Sequence, residues 1–292
     1  MHKYLRSIGF SKYCRHKEIR ELLKKTVRFA DSKKYVSGDN EVIWAEYRKE
    51  FAPGLGLAVC GEYTEENEFE PEYYFPYFDS ELVSSRENLH VDENLYNEAY
   101  LGIYDDDRVG VSIIFYLQNR MDYLKEYMRD NIKDKPCNIS LSGMCSSGTI
   151  MLPLCKDEAL VKRNKSKSLK RNSLIAKARE GDEQAMESLT LEDIDIYNTV
   201  TKKVFKSDIF TVVDTCFMPA GSFCESYSIL GEIESSRLVK NSLTGEDIYI
   251  MGISCNDLNF NVCINKVDLL GEPAPRRRFK GIIWLQGHVD FE

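Results

Sequence analysis

The stretch EFAPGLGLAVCGEY, Glu50–Tyr63, gathers Pro53, Gly54, Gly56 and Gly61 around a short apolar run. Two folds compete for it. A phosphate cradle leads from a strand into a helix whose first N–H groups face the anion, and would mark a nucleotide-using fold. A tight turn between two strands asks for the same Pro and Gly, and the fold is then β-rich. Gly56 leads into LAVCGEY, which is strand-like, and neither G-x-G-x-x-G nor G-x-x-x-x-G-K-[ST] occurs in the chain. The turn reading prevails.

A second segment supports it. Residues 51–155 and 208–292 share four anchors in the same order: Phe51-x-Pro53-Gly54 with Phe217-x-Pro219-x-Gly221, Gly61-Glu62 with Gly231-Glu232, Gly102-Ile103 with Gly252-Ile253, and Gly148-x-Ile150-x-Leu152 with Gly281-x-Ile283-x-Leu285. The second copy keeps Pro219 and Gly221 without a second glycine, as a structural turn would. Val109, Val111, Ile113 and Phe115 alternate with other residues, and Phe260, Val262 and Ile264 do the same between asparagines. That period of two is the mark of strands with one buried face. The expected fold is α+β, with two similar β-rich lobes arising from an internal duplication.

Helical spacing fills the remainder. Ile19, Leu22, Leu23, Thr26 and Val27 fall on one helix face, so residues 1–50 read as a helical cap. Residues 51–155 form the first lobe, carrying an acidic insertion at 62–98 and a helix near 119–132 built on Met121, Leu124, Met128 and Ile132. Residues 156–207 form a basic and then helical connector, with a capping pattern at Thr190, Glu192 and Asp193. Residues 208–292 are the second lobe.

Composition narrows the function classes. A net charge of −8 argues against a nucleic-acid-coating role, since phosphate binding needs a positive footprint. No apolar run is long enough to span a bilayer as a helix, and the charged N-terminus lacks a secretory apolar core, so a cytoplasmic setting without membrane contact is expected. Nine dispersed cysteines without a C-x-x-C pair read as buried, reduced thiols, with Cys145 and Cys224 the most accessible, and no metal or cofactor is expected. His288 and Asp290 share a strand face as a surface pair. Asn138, Ser140 and Gly143 match N-x-S-x-x-G, resembling half of the cyclic-dinucleotide-binding PilZ signature, but the R-x-x-x-R half is missing upstream. EYTEENEFEPE, Glu62–Glu72, lacks the ligand spacing of an EF-hand and reads as a solvated acidic loop.

The candidate binding segment is PAPRRRFKG. Arg276, Arg277, Arg278 and Lys280 concentrate positive charge in an acidic chain, just before a strand carrying Trp284. Guanidinium groups bind carboxylate or phosphate in bidentate fashion, so a small anionic ligand or a protein partner is expected there. Pairing with the chain's own acidic insertion is the competing reading.

The segments MHKYLRSIGFSKY and EGDEQAMESLTLEDIDIY, together with YSILGEI and RRRFKGIIWLQG, resemble an uncharacterised bacterial family from anaerobic, Firmicutes-type bacteria. The likeness spans nearly the whole chain and implies a bacterial setting. It brings no activity and no functional residues. The expected function is therefore a non-catalytic association or anionic-ligand-binding protein. An enzyme with its site between the lobes is the alternative, and a deep pocket there holding Glu232, Asn265 or Glu272 together with an arginine would mark that site.

Overall fold

Pro53 and Gly54 are the turn between two strands. In this computed structural model, which describes residues 2–37, 42–94, 99–129, 136–153, 170–171, 173–175, 177–178, 181–204 and 213–291, β2 (Ile43–Ala52) runs directly into β3 (Leu55–Tyr63). Ala52 pairs with Leu55 across the turn, and Gly54 takes a positive φ of 72° that costs little without a Cβ. The turn is clamped from outside, because Asp79 N–H donates to the Gly54 carbonyl at 2.8 Å. No helix N-terminus stands at this place.

The residues expected to form a helical cap are helical only as far as Arg28. A 3-10 turn, Lys3–Ile8, and helix α1, His16–Arg28, are followed by β1 (Ser32–Ser37) and then β2. Buried charge hides the strand period of β2. Glu46 and Arg48 occupy buried positions alternating with Ala45 and Tyr47, and the run reads as mixed polar sequence. β1, β2, β3 and β4 (Phe69–Phe78) form a four-stranded antiparallel sheet, with the acidic loop turning β3 into β4 at Thr64–Glu68.

The second sheet holds β5 (Ser85–Glu87), β6 (His90–Asn94), β7 (Ala99–Asp106), β8 (Val111–Leu117), β9 (Cys137–Met151), β10 (Cys216–Pro219), β11 (Ser226–Lys240), β12 (Asp247–Cys255), β13 (Leu258–Asn265), β14 (Leu269–Leu270) and β15 (Arg278–Asp290). Its path is β10-β11-β12-β13-β9-β15-β8-β7-β6, and β11 also pairs with β15. The strands β11, β12, β13, β9 and β15 thus close into a ring, which leaves no free edge among them. Ile229, Ile253, Phe260, Val262, Phe279 and Ile283 join one buried apolar cluster within it. The alternation is as expected at Ile113, Phe115, Phe260, Val262 and Ile264, which are buried, but not at its start, where Val109 lies in the turn before β8 and Val111 is exposed. The chain is mostly β, with a helical N-terminal segment.

Residues from both sequence segments alternate within this sheet. β9 lies between β13 and β15, parallel to the first and antiparallel to the second, and β15 lies between β9 and the parallel β8. Gly148 and Gly281 are direct partners in the β9–β15 ladder, where the Phe279 ring occupies the room a Cβ on either would need. The first two anchor pairs fall elsewhere. Phe51–Gly54 and Gly61–Glu62 lie in the four-stranded sheet, whereas Phe217–Gly221 and Gly231–Glu232 belong to the larger one.

Helical segments complete the described chain. α1 packs on β2 and β3, and α2, Arg120–Met128, buries Met121 and Leu124 against Val36 of β1. α3, Glu183–Val204, begins earlier than the Thr190 pattern suggests, because Asp182 Oδ1 accepts the N–H groups of Gln184 and Ala185. Most of the basic half of the connector lies outside the described residues.

The outer faces of β9, β12, β13 and β15 carry Met144, Ile248, Ile250, Cys263 and Trp284, which pack under the four-stranded sheet and the N-terminal turn. A buried amide cluster crosses the same layer. Gln286 Oε1 accepts Phe78 N–H at 3.1 Å and its Nε2 donates to the Pro76 carbonyl at 2.8 Å. Gln118 Nε2 donates to the Phe78 carbonyl and to Gln286 Oε1, and Ser142 Oγ donates to the same carbonyl. Replacing Gln286 with Leu strands a buried donor and a buried acceptor. Each costs about 1–3 kcal/mol, so Gln286→Leu should lower the unfolding free energy by about 2–6 kcal/mol. Urea titration checks this, with a lower midpoint and an unchanged slope expected.

Candidate functional site

The basic segment is dispersed by its own backbone. Arg276 sits at a positive φ of 69° in the turn before β15, and its N–H donates to the Ile233 carbonyl. Arg277 Nη1 donates to the Glu272 carbonyl at 2.7 Å, tying the turn to itself. Arg278 is 4% exposed and opposite Glu232 in the β11–β15 ladder. Its Nε and Nη1 donate to the carbonyls of Leu152 and Val213 at 3.3 and 3.0 Å. Lys280 is exposed one row further along. The three arginines do not converge on one point.

Trp284 lies on the same outer face of β15 but deeper. Tyr4 stacks on it at 5.4 Å and 18°, with His2 at 4.7 Å and Tyr116 at 5.1 Å. Burial lowers His2 to about 4, with the chain's amino terminus adding to the effect. His2 is therefore a neutral ring in an aromatic stack at pH 7.

Between the basic turn and Trp284 the sheet carries exposed apolar side chains on adjacent strands. Met218, Ser228 and Ile282 align across β10, β11 and β15, and Met218 and Ile282 are 55% and 50% exposed. One row over, Leu270, Thr149 and Lys280 align across β14, β9 and β15, with Leu270 72% exposed. No single residue type announces this patch. It appears only once the register of five strands is fixed.

At the other end of β15 the layer opens on a second polar group. Glu46 Oε1 accepts Arg48 Nε at 2.7 Å, and Cys60 Sγ donates to Glu46 Oε2 at 3.7 Å, with all three residues buried. Arg48 Nη1 lies 3.8 Å from Asp79, and the guanidinium stands 5.0 Å from the Tyr77 ring centre. Asp79 Oδ1 lies 3.7 Å from His288 Nδ1. His288 thus meets Asp79 just beyond the end of β4, a partner that the spacing of His288 and Asp290 does not reveal. Ser140 is directly opposite His288 in the β9–β15 ladder. Asn138 is opposite Asp290, whose carboxylate suits no phosphate, and this disfavours the PilZ reading.

Burial pushes the Cys60 thiol up, and the Glu46 charge pushes it further, so it stays protonated. Burial alone would raise the Asp79 carboxyl. The neighbouring His288 and the charges of Arg48 and Lys34 outweigh it and hold Asp79 below its ordinary value.

The residues named for an enzyme site are occupied structurally. Asn265 Nδ2 donates to the Arg6 carbonyl and to Glu246, and Glu232 and Glu272 belong to the β11–β15 ladder and its turn. Among the described residues no group of three or more His, Cys, Asp or Glu is placed to hold a metal ion, and no helix is long and apolar enough to cross a membrane.

A family model described as a domain of unknown function, E. rectale gene description (DUF3881), matches residues 5–287. The chain belongs to that family. No curated protein matches the chain, and no solved structure does.

Thiol exposure and the Asp79 charge each set a measurable outcome. Cys14 and Cys224 are the exposed thiols among those described, while Cys145 is fully buried and pushed up to about 11 by that burial. Native protein should therefore label first at Cys14, then more slowly at Cys224, whose thiol burial and Glu225 raise. Peptide mapping after timed alkylation reads the order, and early labelling of Cys145 would contradict it. The folded Asp79 carboxyl titrates below its unfolded value of about 4, so its contribution is complete above that pH and is lost as pH falls through the folded value. Asp79→Asn should lower the unfolding midpoint at pH 7 and converge with the wild type in stronger acid.

Proposed function

We propose that this DUF3881 protein is a non-catalytic association protein, whose partner surface is the outer face of β10, β11, β15, β9 and β14. One observation carries the reading: Met218, Ile282 and Leu270 are exposed on one sheet face, in adjacent rows that include Lys280, on a strand that begins two residues after Arg276. Apolar side chains in the centre with arginine nearby are the makeup of interface cores. A partner with an apolar anchor and acidic rim residues fits this face. The setting we assign is the bacterial cytoplasm, in keeping with free thiols at all described cysteines.

The scaffold itself supports a duplication of smaller extent than the sequence anchors suggest. Inward of β10 on one side and from β6 on the other, the strand path reads as three antiparallel strands and then a parallel one: β11-β12-β13-β9 and β6-β7-β8-β15. We infer that β6 to β9 and β11 to β15 descend from one unit whose last strands have exchanged places. One rotation carrying all four strands onto their counterparts would support this, and a fit limited to the hairpins would overturn it.

A second reading, an enzyme at the open end of the sheet layer, is favoured by the meeting of His288, Asp79 and Ser140. Covalent capture of Ser140 by a fluorophosphonate, lost in His288→Ala, would establish it, and the absence of labelling would remove it.

Affinity purification from the native organism tests the association reading. The wild type should retain one stoichiometric protein, and the double variant Met218→Glu/Ile282→Glu should lose it at least about tenfold, since buried interface anchors carry most of the binding energy. An unchanged unfolding midpoint controls for folding. Undiminished retention by the variant, or recovery of no stoichiometric protein by the wild type, would overturn the proposal.

A further inference from the structure

Helix α1 and the turn before it form a basic stretch in an acidic protein. Residues 12–28 hold seven Lys or Arg and two Glu, a net charge of +5 in a chain of −8. A groove of about 390 Å³ runs beside it, within the range of roughly 300–1,000 Å³ typical of small-molecule sites. Its apolar lining is Tyr13, Leu22 and Leu243, and its cationic lining is Lys12, Lys17 and Lys25.

The walls are held in place before any ligand arrives. Asn241 Nδ2 donates to the Ile8 carbonyl, and Thr244 Oγ1 donates to the Gly9 carbonyl at 2.7 Å, so the N-terminal turn is fastened to the β11–β12 turn that carries Leu243. Ser11 donates to Glu246 through both its N–H and its hydroxyl. Phe10 then sets the Tyr13 ring edge-on at 5.0 Å. A groove with fixed walls loses little ordering entropy on binding.

Its charge is unbalanced. Three lysines face two glutamates in the lining, and both glutamates have a neighbour outside it: Glu18 accepts the Arg15 N–H at the helix start, and Glu21 lies 3.9 Å from Lys24, which is not a lining residue. Lys12, Lys17 and Lys25 make no ion pair among the described residues. Lys17, Glu21 and Lys25 lie on successive turns of one helix face, so the two lysines are about 12 Å apart along the axis. That span suits a single small molecule. A membrane surface is disfavoured because Ile19, Leu22 and Thr26, the apolar face of α1, are turned inward and buried.

We propose that the groove between α1 and the β11–β12 turn binds a small organic anion, with an apolar body on Tyr13 and Leu243 over the buried Leu22 and its negative charge beside the lysines Lys12, Lys17 and Lys25. The site is independent of the β-sheet face assigned to a protein partner.

Fluorescence titration of the full chain with 8-anilinonaphthalene-1-sulfonate tests it, since this probe joins an aromatic body to one sulfonate. Saturable binding of one equivalent is expected. Lys17→Gln/Lys25→Gln should weaken it about twofold to fivefold, the scale of one partly exposed ion pair. Uncharged N-phenyl-1-naphthylamine should bind more weakly than the sulfonate. Met218→Glu/Ile282→Glu should bind the probe as the wild type does, even if that variant has lost its protein partner. No saturable binding, equal affinity in the lysine variant, or loss in the sheet-face variant alone would each overturn the assignment.

Discussion

A strand edge in this molecule is completed by side chains. β4 ends the four-stranded sheet, and at Pro76 and Phe78 its outer edge has no neighbouring strand among the described residues. Gln286 supplies the missing pattern, one amide oxygen accepting from Phe78 N–H and one amide nitrogen donating to Pro76, while Gln118 and Ser142 take the Phe78 carbonyl. Unpaired backbone groups buried in this layer would oppose packing of the sheets. With the amides in place, the apolar layer of Trp284, Met144 and the residues above them can close. The two sheets are therefore registered by hydrogen bonds as well as by apolar area.

The position of β15 follows from the same constraint. One face of its alternation fills the ring with Phe279, Ile283, Leu285 and Val289, and the other face meets the second sheet with Trp284 and Gln286. That second face changes character along the strand. It runs from Lys280 and Ile282 in solvent, through Trp284 and Gln286 under cover, to His288 and Asp290 at the opposite rim. The apolar patch and the His288 group are thus the uncovered ends of one strand face. The Glu46–Arg48 pair is held behind the His288 rim, where removing either partner would leave a buried charge uncompensated.

Much of this was legible from residue patterns. Alternation at Ile113, Phe115, Phe260, Val262 and Ile264 identifies buried strands, and Pro53-Gly54 followed by an apolar run identifies the turn. Ile19 and Leu22 identify the buried face of α1. The strand β2 was obscured because Glu46 and Arg48 satisfy each other inside, and a period of two read from apolar residues alone misses a buried ion pair. Long-range pairing was beyond reach as well. Nothing local tells that β9 lies between β13 and β15, or that three adjacent arginines are spent on carbonyls and a turn. The lysines of α1 were visible as charges, but the Asn241 and Thr244 clamps that make a groove beside them are tertiary facts.

The interleaving of β9 and β15 also bears on how the chain reaches this state. Beyond the three residues that the earlier β5 pairs at its start, β9 has β13 and β14 on one side and β15 on the other, so most of its length waits for strands that come much later in the sequence. During synthesis it must persist without these partners while the whole connector and the strands β10 to β12 emerge. Slow closure is the usual cost of such non-local pairing, and exposed edges invite wrong partners in the interval. The run of small residues at Gly143, Ser146, Ser147 and Gly148 makes this waiting strand a poor template for intermolecular stacking. Crowded cells would thus see the nascent chain as a substrate for chaperones well before it presents any binding surface of its own.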